Sequence, residues 1–281
     1  MMNDEDSLLA AITAHPEEDT PRLAFADWLD EHDRPVRAEF VRAQIALKAN
    51  GNLSTEERQK LAHRQQFLLE KYRRDLVGPL GADLISYEVL FDRGFVSELR
   101  VTALLFIQRA EEFGELRPIP RVCIRNLNRA AITRFIRPEL ACVTSIAVRD
   151  PGPNVVPALT ACPYLSRLES LDWTVHGPGD GLGDPGLVAI AFSDNVPQLT
   201  DLDAANNEIS DLGVERLVAS PLWRRLKRLN LSRNQLTRES AERLANAPGN
   251  QIEYLGLHGV HVGAIGRRRL VAKYGERVWL G

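Results

Sequence analysis

The 281-residue sequence has few cysteines, few aromatic residues, no long apolar run and no large net charge. Its cysteines, Cys123, Cys142 and Cys162, are odd in number and form no C-x-x-C pair, so we expect neither a disulfide framework nor a zinc site. The formal net charge of −3 does not provide the positive surface that binds phosphate backbones, and few of the aromatic residues, 6% of the chain, interleave with its basic helix. We therefore expect no nucleic-acid partner.

Signals for export, membrane insertion and common hydrolytic chemistry are also missing. The N-terminal segment MMNDEDSLLAAITAHPEEDT is acidic and lacks the basic and apolar regions of a secretory signal. No run of about 18 apolar residues occurs, so we expect no membrane span. The three cysteines, which suggest no disulfide framework, fit a reducing compartment, so we expect a cytoplasmic protein. The motifs G-x-S-x-G and H-E-x-x-H are absent as well, and this favours a protein that is not an enzyme and has no cofactor.

Residues 1–78 have the pattern of a compact helical module. Residues 1–40 carry a net charge of −8 and residues 41–78 a net charge of +4. Helices are predicted over residues 4–14, after Pro21, after Pro35 and after Ser54, which forms a capping-box pair with Glu57. We therefore predict a module of four helices.

An apolar frame, L-x-x-L-x-L, recurs in residues 79–281. Its copies start at Val96, Ile119, Val143, Leu168, Leu199, Leu226 and Ile252, and those at Leu199 and Leu226 are the best. Spacings of 23 to 31 residues indicate stacked repeats, each with a short strand and a returning helix. We predict an α/β solenoid with a parallel sheet on its concave face, helices on its convex face and a C-terminal cap at about residues 265–281. Asn207 and Asn234 are expected to satisfy backbone groups of the turns that leave the strands.

A glycine loop, Gly181 to Gly186, matches G-x-G-x-x-G, the fingerprint of dinucleotide-binding folds. Residues 182–193 align with residues 209–220, where the third glycine recurs as Gly213 without a preceding G-x-G. Pro185 lacks an N–H donor, and Asp184 adds negative charge where a phosphate would lie. The repeat interpretation is favoured, residues 176–181 are an insertion, and a nucleotide-responsive module remains an alternative.

The frame L-x-x-L-x-L-x-x-N-x-L with its G-x-x-x-L helices resembles leucine-rich repeats, most closely the ribonuclease-inhibitor-like type, over about residues 86–281. The resemblance implies a horseshoe-like solenoid that binds another protein.

The segment RLAFADWLDEHDRPVRAEFVRAQIAL is similar to the bacterial repeat-companion domain over about residues 5–50. The similarity is carried by Ala26, Asp27, Trp28, Leu29, Asp30, Glu31, Arg37, Ala38, Glu39, Phe40, Arg42 and Gln44. His32 stands where we expect glycine. The resemblance implies a companion to a scaffold and no known catalytic activity.

The acidic residues of this module allow two interpretations. Carboxylates and one imidazole are close together in the sequence at Asp27, Asp30, Glu31, His32, Asp33 and Glu39. Such a set could hold a divalent metal in a metal-dependent enzyme. Ion pairing with Arg34, Arg37 and Arg42 is the favoured interpretation, because no two-histidine ligand set is present.

The outward positions of the predicted strands are the candidate binding surface for a partner protein. They include Arg100, Arg121, Arg125, Arg149, Asp172, Asp201, Asp203, Arg228, Asn230, Tyr254 and His258. A basic first part is followed by an acidic middle and by basic and aromatic residues near the end, a pattern that suits a partner of complementary charge. The favoured function is therefore a non-catalytic protein–protein interaction scaffold, with a purely structural spacer as a further alternative.

Overall fold

A computed structural model describes residues 3–49, 53–82, 88–116, 120–148, 152–173, 181–249 and 251–281. The chain divides into two compact units. Unit 1 comprises residues 1–100 and 109–121, and unit 2 comprises residues 101–108 and 122–281. The domain boundary after residue 78, which follows from the change in sequence pattern, stays a prediction.

Helices form most of unit 1. Its elements are α1 (Asp4–Ala14), α2 (Thr20–Glu31), α3 (Pro35–Lys48), α4 (Thr55–Lys71), α5 (Arg73–Val77), a 3-10 turn (Pro79–Ala82), strands β1 (Val89–Asp92) and β2 (Phe95–Thr102), which continues into unit 2, and α7 (Ala110–Glu115). The helices predicted near residues 4, 21, 35 and 54 are confirmed, and α5 is additional. The capping box is also confirmed: Ser54 accepts from the backbone N–H of Glu57, whose carboxylate accepts from the backbone N–H of Ser54.

An antiparallel hairpin that the repeat frame does not predict belongs to unit 1. Strands β1 and β2 pair through the turn at Arg93 and Gly94, both of which have positive φ. A side chain at Gly94 would collide with Val41 of α3, so the close approach of hairpin and helix requires glycine there. Arg93 is 5% exposed and its Nη2 lies 2.8 Å from the Glu17 carboxylate, which ties the hairpin to the segment before α2.

The turn after α2 passes through the left-handed region at Asp33, where φ is 57°. His32, at which the family resemblance would place glycine, has an ordinary φ of −113°. Its imidazole stacks on Trp28, with 4.0 Å between the ring centroids. The unusual conformation therefore falls on Asp33, a residue type that tolerates it better than most.

Unit 2 alternates short strands with helices. Its elements are α6 (Ala103–Gln108), β3 (Arg121–Leu127), α8 (Ile132–Phe135), β4 (Val143–Val148), α9 (Gly152–Thr160), β5 (Ser170–Asp172), α10 (Gly183–Ala191), β6 (Asp201–Asp203), α11 (Asp211–Val218), β7 (Arg228–Asn230), α12 (Arg238–Asn246), β8 (Tyr254–Gly256), α13 (Gly263–Tyr274) and β9 (Val278–Trp279). From β3 to β9 each strand pairs in parallel with the next one along the chain. The fold is therefore α/β with a parallel sheet, as predicted.

The register of this sheet is set by the leucine frame. The central residues Ile146, Leu171, Leu202, Leu229 and Leu255 lie side by side on consecutive strands and are all buried. A shift of one residue would turn this apolar row to solvent and bury the polar row instead. The predicted strand frames from Val143 onward are thus confirmed.

Two buried asparagines connect consecutive turns on one side of the sheet. Asn234 accepts from the backbone N–H groups of Asn207 and Ile209 at 2.9 and 3.0 Å, and its amide donates to the carbonyls of Ala204 and Leu231. Asn207 has the equivalent role one repeat earlier. Its side-chain oxygen accepts a hydrogen bond from the backbone N–H of Leu182 at 2.8 Å. The predicted role of both asparagines is confirmed.

Two aspartates make an equivalent ladder at the helix N-termini, which the repeat frame does not predict. Asp184 of α10 accepts from the hydroxyl and the backbone N–H of Ser210, the N-cap of α11, at 2.5 and 2.8 Å. Asp211 of α11 accepts from Thr237, the N-cap of α12, and from Ser240. Each carboxylate therefore satisfies donors of the following repeat.

Candidate functional site

Polar side chains form two registered rows across strands β5 to β8. The first row contains Ser170, Asp201, Arg228 and Tyr254, and the second contains Asp172, Asp203, Asn230 and Gly256. Residues two apart on a strand point to the same face, so both rows lie opposite the buried leucines. The structure thus brings together the predicted residues from Asp172 to Tyr254.

These rows line a concavity of about 250 Å³, which we call the acidic pocket. Its lining residues are Ser170, Asp172, Asp201, Leu202, Asp203, Arg228, Leu229, Asn230 and Tyr254. Three carboxylates against one guanidinium give this lining a net charge of −2 at neutral pH. The pocket therefore favours a ligand group that carries positive charge or hydrogen-bond donors.

One side of the acidic pocket is adjustable. The Arg228 Nε lies 3.4 Å from the Asp201 carboxylate, and the guanidinium lies 5.0 Å from the centroid of the Tyr254 ring. The Arg228 side chain is 58% exposed, so this ion pair contributes about 1 kcal/mol or less. The Arg228 side chain can therefore move away from Asp201 and Tyr254 at small cost in free energy.

The other side of the pocket is held firmly. Asp203 accepts from the Asn230 amide at 3.0 Å and from the backbone N–H of Ala205 at 3.0 Å. Asn230 in turn accepts from the backbone N–H of Ser232. A Cβ at Gly256 would lie 2.5 Å from the Asn230 Oδ1, so glycine at this position leaves room for the Asn230 amide. Asp203 and Asn230 are therefore preorganised in a way that the sequence frame could not show.

The remaining predicted residues do not share one site. His258 follows β8 and its ring stacks on Trp279 at a centroid distance of 4.8 Å. Arg100 and Arg121 belong to unit 1, where the Arg100 Nε donates to Glu98 at 2.5 Å, and Arg125 lies on β3 in unit 2. Arg149 lies outside the described residues, as do residues 176–180 of the insertion.

Acidic residues of the N-terminal module form ion pairs with arginines. Ion pairing is the favoured interpretation of this acidic set, and Arg42 follows it. The Arg42 guanidinium lies 2.7 Å from Asp27 and 2.7 Å from Asp30. Glu39 forms a two-pronged pair with Arg64 at 2.6 and 2.8 Å, and this hydrogen bonding holds the pKa of Glu39 below its usual value. Among the residues that the structure describes, no group of three or more His, Cys, Asp and Glu side chains is arranged to hold a metal ion.

The glycine loop directs its backbone donors to the neighbouring repeat. The Leu182 N–H donates to the Asn207 side chain and the Gly183 N–H donates to the Asn207 carbonyl, at 2.8 and 2.9 Å. The Gly186 N–H donates within α10 to Leu182. A phosphate-binding loop needs such N–H groups for the anion, so this geometry favours the repeat interpretation.

The buried cysteines have environments that disfavour the thiolate. Burial raises the pKa of Cys142 to about 11 and also raises the pKa of Cys162. Both side chains behave as small apolar core residues.

Comparison with known proteins gives one family match. Residues 225–245, which include β7 and most of α12, match a family model described as a leucine-rich repeat. No curated protein matches the chain. Within the described residues, no helix is both long and apolar enough to cross a membrane. The match supports the presence of leucine-rich repeats in unit 2, and the matched segment contributes Arg228, Leu229 and Asn230 to the lining of the acidic pocket.

Proposed function

We propose that this chain is a non-catalytic scaffold that binds another protein through its leucine-rich repeats. In this proposal the repeats are of the ribonuclease-inhibitor-like type and form a solenoid, and the face with the two polar rows is its concave side. The N-terminal helical module is a bacterial repeat-companion domain, and the protein works in the cytoplasm. The observation that carries the proposal is the registered arrangement of polar side chains around the acidic pocket.

The make-up of this face supports recognition more than catalysis. Its rigid part, Asp203 with Asn230, presents fixed acceptors, whereas Arg228 and Tyr254 present adaptable charged and aromatic surface. Protein interfaces are enriched in tyrosine and arginine, and a charge pattern on their surface determines specificity and association rate. Each repeat contributes one short parallel strand with outward-facing polar positions. Stacked repeats therefore extend this surface along the sheet.

The proposed binding surface keeps the outward residues that the sequence identifies. It comprises Arg100, Arg121, Arg125, Arg149, Asp172, Asp201, Asp203, Arg228, Asn230, Tyr254 and His258. Within unit 2, we expect the acidic pocket to contribute most to binding, because the residues that carry most of the binding free energy cluster in well-packed pockets.

Neutralising the pocket tests the proposal. The variant Asp201→Asn with Asp203→Asn removes two charges and keeps an oxygen acceptor at each position. Affinity purification from cells of the source organism measures capture, and mass spectrometry quantifies the captured partner protein. We expect the variant to capture at least about tenfold less of this partner than the unchanged protein does.

The control is Glu253→Gln with Glu276→Gln, which changes net charge equally at two exposed positions outside the pocket lining. Circular dichroism verifies that all three proteins are folded. Equal capture by the pocket variant, the control and the unchanged protein would refute the pocket as the binding site.

A further inference from the structure

Helix α13 and the turn that follows it concentrate positive charge. Residues 263–277 contain a single acidic residue, Glu276. They contain five basic residues, Arg267, Arg268, Arg269, Lys273 and Arg277. Among the described residues, one carboxylate side chain lies within ion-pair distance of these cations, that of Glu242 at 3.8 Å from Arg269. Most of this positive charge is therefore not compensated within the chain.

The hydrogen bonds of these cations do not neutralise them. Arg267 donates to the main-chain carbonyl of Gly281 at 3.0 Å. Arg277 donates to the carbonyl of Ile252 at 2.9 Å. Arg268 is exposed and has no ion pair or hydrogen bond in the part of the chain that the structure describes. A carbonyl dipole fixes a guanidinium but leaves its full charge, so these side chains remain attractive to carboxylates.

Exposed apolar side chains lie among the cations. Ile265 and Val271 of α13 are 44% and 48% exposed. Trp279, on the strand β9 that packs against α13, is 49% exposed. The helical repeat places Ile265, Arg267, Arg268 and Val271 on the half of α13 opposite the buried Leu270. We call this half of α13, together with Trp279, the basic face. Tryptophan and arginine are enriched at protein interfaces, so the composition of the basic face suits a protein partner.

The complementary charge occurs in unit 1 of the same chain. Residues 4–33 contain ten acidic residues and one basic residue, Arg22, which is 6% exposed. The start of α1 lies beside the turn after α2, because Arg34 is 3.0 Å from the Glu5 carboxylate. Four exposed acidic residues at this place pair with no lysine or arginine among the described residues: Asp4, Asp6, Glu31 and Asp33. We call these four residues the acidic end.

We propose that the basic face docks the acidic end of a second copy of this chain. Two basic faces repel each other, and so do two acidic ends, so the contact joins unlike surfaces of two copies. Such a contact leaves one basic face and one acidic end unoccupied in every dimer. Further copies can therefore add until the assembly closes into a ring or continues as an open chain. The basic face lies outside the lining of the acidic pocket, and the proposal does not depend on the proposed function.

Sedimentation velocity of the full-length protein tests the proposal. We expect the sedimentation coefficient to rise with protein concentration at an ionic strength of about 0.01 M, where charges act over about 30 Å. The rise should disappear at about 1 M NaCl, where charges act over about 3 Å. A protein that sediments as a monomer at every concentration in low salt would overturn the proposal, as would association that salt does not weaken.

Charge reversals identify the two surfaces. The first variant, Arg267→Glu with Arg268→Glu, reverses the basic face, and the second, Asp4→Lys with Glu31→Lys, reverses the acidic end. We expect each variant alone to associate at least about tenfold more weakly than the unchanged protein. An equimolar mixture of the two variants should regain association, because every contact between them then joins opposite charges. Restored association in the mixture also shows that both variants are folded.

The control is Arg224→Glu with Lys227→Glu, which makes the same change of charge at exposed positions of unit 2 outside the basic face. We expect it to change association less than twofold. Circular dichroism verifies the fold of each variant, and Arg268→Gln replaces the double reversal if the latter does not fold. Association that a folded basic-face variant leaves unchanged, or that the mixture of two folded variants does not restore, would overturn the proposal.

Discussion

Replacing Asn234 by alanine tests whether the asparagine ladder stabilises the repeats of unit 2. The Asn234 side chain is 8% exposed and joins two consecutive turns. In the variant, the N–H groups of Asn207 and Ile209 lose their acceptor. The carbonyls of Ala204 and Leu231 lose a donor at the same time. Alanine offers no replacement for any of these bonds.

The magnitude follows from the groups that are left unpaired. A buried donor without a partner costs about 1–3 kcal/mol, so the two N–H groups alone cost about 2–6 kcal/mol. Carbonyl groups tolerate loss of a partner better, and a water molecule that enters the space left by the amide recovers part of the cost. We therefore expect a decrease of about 3 kcal/mol in the free energy of unfolding.

Urea unfolding followed by circular dichroism measures this decrease through the linear dependence of stability on denaturant. Asn246→Ala is the control, because Asn246 is exposed at the end of α12 and a surface substitution of this kind changes stability by about 0.5 kcal/mol or less. A loss in the Asn234 variant no larger than in the Asn246 control would refute the assigned role of the ladder.

The sequence predicted the elements whose signal is local or periodic. The strands at Asp201 and Arg228 follow from the leucine frame, since three apolar positions per repeat define both the strand and its register. Helix α4 follows from its capping box, and the roles of the asparagines follow from their place after each strand. In each case the residues that determine the structure are neighbours in the chain or occupy equivalent places in adjacent repeats.

Features that depend on distant residues were missed. The hairpin of β1 and β2 is held by Arg93, which pairs with Glu17 more than seventy residues away, and only the Arg-Gly turn between two apolar runs signalled it. The aspartate ladder depends on the hydrogen-bond donors at the start of the following helix. The residues around Asp184 in its own repeat do not indicate that its carboxylate binds Ser210. The outward row itself was predictable by alternation, whereas the contact of Arg228 with Tyr254 depends on rotamers that a sequence pattern does not determine.

Two further predictions concern the aspartate ladder. Gly213→Ala places a methyl group against the Asp184 carboxylate and 2.9 Å from Ile209, so we expect a lower melting temperature; a higher one, the usual result for alanine in a helix, would contradict the close contact. Burial disfavours ionisation of Asp211, but hydrogen bonds from Ser240 and Thr237 outweigh it and hold its pKa below the usual value. The ionised carboxylate therefore contributes its full stabilisation above pH of about 4, the pKa of an unfolded aspartate, and loses it as pH falls through the lower folded-state pKa. Asp211→Asn should accordingly cost about 1–3 kcal/mol at pH 7 in urea unfolding, and the difference from the unchanged protein should shrink as the pH is lowered from 4 toward 2. A difference that stays constant over this range would show that the charge of Asp211 does not stabilise the ladder.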